Sequence, residues 1–215
     1  MKRMIDVAVW DRRGNYEFFR DFANSWYSVT TEIECGKAFE ECRRSGESFF
    51  LRYLYAVVKA ANEVEAMRYR KSPTGKIVLF DKVDIITPIA SGSNFVTVRI
   101  PYISDYGLFR EEAERIISSI KPGDDPYGVE KRMIDSGDYD VVHLSAVPGM
   151  YFTSMSFTAQ SVGTPCTHPL SVMGKATRHA DGSLKMPYAV YIDHMFVDGA
   201  HLMDFFSRIE DSLCR

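Results

Sequence analysis

The chain has 215 residues, of which 46% are hydrophobic and 13% aromatic, and its formal net charge is −3. That length and apolar share suit one folded domain with a real core, so residues 1–215 are read as a single domain. The lack of a basic excess argues against nucleic acid and against an anionic membrane surface as partners, and no window approaches a membrane span.

Residues 4–10 carry apolar positions at Ile5, Val7, Val9 and Trp10. Asp11-Arg12-Arg13-Gly14 follows, and Asn15 is placed to cap a helix through Phe18, Phe19 and Phe22. The arginine pair fits a solvated turn, or it supplies one arginine to a distant carboxylate. Residues 26–33 alternate and are rich in Val, Thr and aromatics, which predicts a strand. Residues 35–44 predict a short amphipathic helix ending near Gly46, and residues 48–64 a longer one. Residues 67–70 and 76–80 flank a Ser72-Pro73-Thr74-Gly75 turn and predict a hairpin. Strands are predicted over 84–90 and 95–100, and a helix over 106–120 that stops at Lys121-Pro122-Gly123.

Residues 124–140 are polar and read as a connector with one helical turn around 129–133. Residues 141–146 predict a strand, and residues 151–157 alternate Tyr or Phe with Thr and Ser. Residues 161–168 read as a loop and 170–177 as a strand. A turn at Ala180-Asp181-Gly182-Ser183 leads into a strand from Pro187, then a turn at Asp198-Gly199 and an amphipathic helix over 200–213. The order mixes helices and strands without strict alternation, which predicts an α+β sandwich rather than a doubly wound fold. No Gly-rich phosphate loop is present, so a kinase, GTPase or ordinary dehydrogenase is not expected.

The four cysteines, Cys35, Cys42, Cys166 and Cys214, form no C-x-x-C pair and no Cys/His set at zinc-ligand spacing. They read as reduced thiols of a cytoplasmic protein, with a Cys35–Cys42 disulfide as the alternative. The N-terminal stretch has no apolar segment of signal-peptide length. No metal site is predicted.

Between the last strand and the last helix stands His194-x-x-x-Asp198-Gly199. A histidine at a strand end can be held rigidly, and its ordinary pKa of about 6.5 lets it act as a general base near neutrality. The same pattern fits a packed histidine followed by a turn. His143, His168, His179 and His201 read as packing or surface residues.

Four segments occur together in order: Trp10-Asp11-Arg12-Arg13 with Tyr16-Glu17-Phe18-Phe19, then Ser145-Ala146-Val147-Pro148, then Pro169, Met173 and Lys175, then His194 to Gly199. This set resembles the chloramphenicol acetyltransferase family over nearly the whole chain. A wider clan sharing only His-x-x-x-Asp-Gly includes dihydrolipoamide acyltransferase catalytic domains.

The resemblance implies a two-layer α/β sandwich with a mixed sheet, assembled as a homotrimer with active sites between subunits and no tightly bound cofactor. Acetyl-CoA would be the co-substrate and a hydroxylated small molecule the acceptor, with chloramphenicol and antibiotic resistance the leading case. It implies His194 as general base, Ser145 as oxyanion donor, and Asp198 paired with Arg12 to hold the histidine loop. Lys175, Gly149 and Met150 would border CoA. Phe18, Phe19, Ser25, Tyr27, Met155, Phe157 and Val172 would border the acceptor. Asp193 stands where the family often has a second histidine, Val172 where it commonly has Thr, and Gly149 where it commonly has Trp. A different hydroxylated acceptor, or a trimeric binder without catalysis, are the other readings.

Overall fold

Period-two and period-3.6 apolar patterns become strands and helices in a computed structural model that describes residues 1–72, 74–158 and 168–214. The first third holds β1 (Lys2–Met4), α1 (Arg13–Phe19), β2 (Trp26–Glu34), α2 (Gly36–Ser45) and α3 (Phe49–Glu63). The middle holds β3 (Tyr69–Lys71), β4 (Ile77–Phe80), β5 (Asp84–Ser91), β6 (Asn94–Ile100), α4 (Tyr106–Ser118) and α5 (Gly128–Ser136). The last third holds β7 (Val141–Ala146), β8 (Leu170–Met173), β9 (Thr177–Arg178), β10 (Leu184–Asp193) and α6 (Gly199–Cys214).

Among the described residues the main sheet runs β2-β10-β8-β7-β5-β6, with β9 added to β10, and a small sheet runs β1-β4-β3. The main sheet is mixed, because β7 pairs in parallel with both β5 and β8 while the other pairs are antiparallel. One face packs on α3 and α6, where Tyr188, Val190 and Ile192 of β10 join Leu54, Val58, Phe205 and Ile209 in one core. The alternate residues Ala189, Tyr191 and Asp193 face the other way, as a period of two requires. Beneath α5, Ile86, Val129, Met133, Tyr139 and Val141 form a second, smaller core.

The α+β expectation, with its two layers, holds. Helix α3 begins where Ser48 Oγ accepts the Leu51 N–H at 3.4 Å, and α2 ends on Gly46 at φ 77°. Three expectations need correction. Helix α1 starts at Arg13 rather than being capped by Asn15, because Arg12 occupies the N-cap position. Residues 128–136 form a full helix, its buried Val129 and Met133 standing four apart among polar neighbours. The strand expected over 170–177 stops at Met173. The loop expected over 161–168, with Cys166, lies almost entirely outside the described residues. Cys35, Cys42 and Cys214 are free thiols.

The stop at Gly174 has a steric cause. Its N–H donates to Pro187 O at 2.8 Å, and the next amide, of Lys175, donates to Met150 O at 2.7 Å. A Cβ on Gly174 would lie 2.6 Å from Pro187 Cγ and 2.8 Å from both Met150 O and Phe152 Cε1. Gly174→Ala is therefore expected to cost about 1–3 kcal/mol of stability through overpacking, read as a lower denaturant midpoint. An unchanged midpoint would show that the Met150–Phe152 segment yields freely.

Candidate active site

His194 lies one residue past β10, the described strand with the most buried residues, and its position is fixed from three sides. Its backbone N–H donates to Ser25 O at 2.9 Å. Its ring stacks on Phe19 of α1 at 4.4 Å and 13°, and tilts against Tyr27 of β2 at 4.6 Å and 34°. Its Nδ1 is shielded from solvent with no hydrogen-bond partner among the described residues. An imidazole restrained in this way has the fixed geometry that proton transfer to or from a bound group requires. Phe18 and Phe22 continue the aromatic surface outward from Phe19 and are exposed.

The turn after His194 is tied down by carboxylates at both ends. Asp193 Oδ1 accepts the Met195 N–H at 3.0 Å, and Asp193 O accepts the amides of Phe196 and Val197. At the other end Arg12 Nη1 donates to Asp198 Oδ2 at 3.0 Å, and His201 Nδ1 lies 2.9 Å from Asp198 Oδ1. Asp198 also accepts the Ala200 N–H at 3.2 Å, which caps the start of α6. Burial pushes the Asp198 carboxyl up, but the Arg12 hydrogen bond and the nearby positive charges outweigh it and hold it below its ordinary value. Tyr27 closes the arrangement by donating to Val197 O at 3.2 Å. Its own pKa is pushed up to about 12, first by burial and then by the Asp198 charge, against the opposing pull of Arg12. Trp10 packs on Phe196 and donates to Tyr69 OH at 3.3 Å, fixing the chain that leads into Arg12.

The structure thus brings Arg12, Phe19, Ser25, Tyr27, His194 and Asp198 together, with Phe18 beside them. Ser145 is elsewhere. It pairs in register with Val172 of β8, which pairs with Ala189 of β10. Ser145 therefore shares the sheet face of Ala189, opposite the helical layer, whereas Tyr27 and Ile192 are cross-strand partners on the helical side. His194 is five residues along from Ala189 and Ser145 two strands across, a separation of roughly 19 Å at ordinary strand spacings. Lys175 lies just past the end of β8, where its N–H donates to Met150 O and brings it beside Met150 and Gly149. Lys175 is exposed and has no carboxylate within ion-pair distance among the described residues. Such a free cation suits a phosphorylated ligand. Phe157 stacks on Tyr191 at 5.6 Å, and Met155 is half-buried.

Sequence reasoning missed Asp193 as an anchor of the turn and His201 as a neighbour of Asp198. Both signals were local: an Asp two residues before an amide, and a histidine three residues past a helix cap.

The chloramphenicol acetyltransferase family model matches residues 2–210. Chloramphenicol acetyltransferase 3 of Escherichia coli is 24% identical over 214 residues, covering 98% of this chain and 95% of that protein. The chloramphenicol acetyltransferase of Staphylococcus aureus is 23% identical, covering 96% and 93%. A solved structure described as chloramphenicol acetyltransferase is 44% identical with a TM-score of 0.95, covering 99% of this chain and all of that one. The cubic core of a pyruvate dehydrogenase complex shares the fold at a TM-score of 0.62 and 15% identity.

Asp193 supplies a pH test. Burial raises its pKa, and the hydrogen bonds from Met195 and Ser25 with the charges of Lys71 and His194 offset this only in part. A carboxyl whose folded pKa exceeds its unfolded value of about 3.9 confers stability at low pH that is lost as pH rises through the folded pKa. Asp193→Asn keeps an acceptor for Met195 and removes the buried charge. Its stability relative to the native chain is expected to rise as pH increases above the unfolded value of about 3.9, measured by matched denaturant titrations. A relative stability that falls with pH would contradict this.

Proposed function

The chain belongs to the chloramphenicol acetyltransferase family and is an acyltransferase, and on that premise we propose that it transfers acetyl from acetyl-CoA to a hydroxyl of chloramphenicol or a related hydroxylated small molecule. His194 takes the hydroxyl proton as the oxygen attacks the thioester carbonyl. Ser145 donates to the oxyanion of the tetrahedral intermediate. Collapse breaks the C–S bond, and the imidazolium returns the proton to the departing CoA thiolate. The products are an acetate ester and CoA. Arg12 and Asp198 position the turn and take no proton.

The observation that supports an assembled site is the separation of His194 and Ser145. Roughly 19 Å and two sheet faces apart, they cannot serve one substrate within one chain. Each instead meets its counterpart in a second copy, in a closed ring of three subunits. The exposed Phe18 and Phe22 beside His194 give that copy an apolar surface to cover. Lys175, with Met150 and the open space at Gly149, borders the CoA arm. In the cytoplasm this activity confers resistance to the antibiotic.

Thiol release from acetyl-CoA tests the reaction directly. His194→Ala is expected to lower turnover roughly 100- to 10,000-fold, and Ser145→Ala roughly 100- to 1,000-fold. Native-rate acetylation by His194→Ala would sink the assignment, and no thiol release with any hydroxyl acceptor would leave a binding protein. The shared site has its own signature. Refolding the two inactive variants together in equal amounts should restore activity to about a quarter of the sites. No recovery in verified mixed oligomers would place both groups on one chain.

A further inference from the structure

The outer face of the sheet carries a cleft of about 470 Å³, lined by Ser145 together with His143, Glu130, Tyr127, Phe95 and Pro88. Its polar groups are unusual in lacking partners. Both His143 Nδ1 and Glu130 Oε2 are shielded from solvent with no hydrogen-bond partner among the described residues. A polar atom in that state costs stability unless a ligand satisfies it. The guanidinium on this face is committed elsewhere. Arg99, the cross-strand partner of Ile86 beside His143, pairs with Asp84 at 2.6 Å and Asp140 at 2.9 Å. Glu130 therefore faces the cleft with no cation within ion-pair distance among the described residues. Burial pulls the His143 pKa down to about 4, a hydrogen bond donated by the ring to the Ser171 backbone carbonyl opposing it only in part, so the ring is neutral near pH 7.

We propose that this cleft selects acceptors that carry an amine as well as the reacting hydroxyl, with Glu130 receiving the ammonium group and His143 Nδ1 accepting one of its N–H bonds. An ammonium offers three donors and a positive charge, and so satisfies both acceptors at once. The spacing sets the length of the molecule. His143 and Ser145 are alternate residues on one face of β7, about 7 Å apart along the strand. The amine and the reacting hydroxyl are therefore separated by a span of similar size. Phe95, Tyr127 and Pro88 supply an apolar wall for the part between them. The acceptor class is an amino alcohol with a compact apolar or aromatic spacer. This rests on the acetyl-transfer reading only for the role of Ser145; the recognition of an amine stands on the cleft itself.

The matched probes are 4-(aminomethyl)benzyl alcohol and 4-ethylbenzyl alcohol, which differ by an ammonium in place of a methyl. Calorimetric or protein-detected NMR titration of the full-length protein reads their affinities, and thiol release from acetyl-CoA is read in parallel. The amine is expected to bind about tenfold tighter than its neutral partner. Glu130→Gln should abolish that preference, and His143→Phe should reduce it. Equal or tighter binding of 4-ethylbenzyl alcohol overturns the proposal, as does a preference that survives Glu130→Gln in folded protein. A preference for the amine with no thiol release from any acceptor would overturn the acetyl-transfer reading and leave the amine site standing. Thiol release with chloramphenicol and no amine preference would do the reverse.

Discussion

The ion pair between Arg12 and Asp198 ties the two ends of the chain together across 186 positions. Its value is geometric more than energetic. Arg12 is largely buried, and its Nε and Nη2 have no partners among the described residues, so part of its desolvation cost is not recovered. What the pair fixes is the distance between α1 and the start of α6. Phe19 rides on α1, and the turn bearing His194 ends at Asp198. Holding those two segments together stacks Phe19 on the imidazole. The imidazole orientation is therefore set by an electrostatic tie on one side and an aromatic stack on the other. Neither works without Trp10, whose packing on Phe196 brings the N-terminal segment to the turn.

The sheet separates what this tie assembles from what the outer face presents. Residues of β10 alternate between the helical core and the opposite face, so every cross-strand row has a fixed side. Tyr27 and Ile192 fall on one side, while Ser145, Val172 and Ala189 fall on the other. A one-residue slip in the β7–β8 register would carry Ser145 into the core and Leu144 out of it. Leu144 is fully buried and Val142 nearly so, so burial of those two side chains holds Ser145 on the outer face. The proposed division of labour between subunits thus follows from hydrophobic alternation in two strands.

Much of this was legible in the sequence, because the strongest signals are periodic and local. The strands at 26–34, 84–91, 94–100 and 141–146 and the helices at 49–63 and 199–214 carry clear apolar alternation or helical spacing. Helix α5 was not legible as a whole, since only Val129 and Met133 of its nine residues are buried and the rest read as polar connector. The break at Gly174 was also invisible. It depends on Pro187, Met150 and Phe152 converging on one point, and no local pattern encodes a contact among segments that far apart. At the candidate site, motif order grouped Arg12, Asp198 and His194, and Arg12 does meet Asp198 at the end of the turn that His194 begins. Nothing in that order revealed that Ser145 stands on the other face. Facing is a property of register, which the strand sequences do not state until their partners are known.

The chemistry of the thiols bears on how acetyl is passed. An acyl-enzyme route needs a nucleophile with an accessible thiolate or an activating base. Burial, then the charges of Glu34 and Cys214, push the Cys35 thiol up to about 12. Cys42 and Cys214 are also raised, burial again leading. Cys35 instead donates to Leu184 O at 3.3 Å and packs in the core, the behaviour of a structural thiol. These three cysteines sit on or next to α2 and at the end of α6, away from the turn that carries His194. A thiol held protonated in the core is a poor nucleophile toward a thioester. The electrostatics of the described cysteines therefore favour direct transfer between two bound substrates over a covalent relay through the protein.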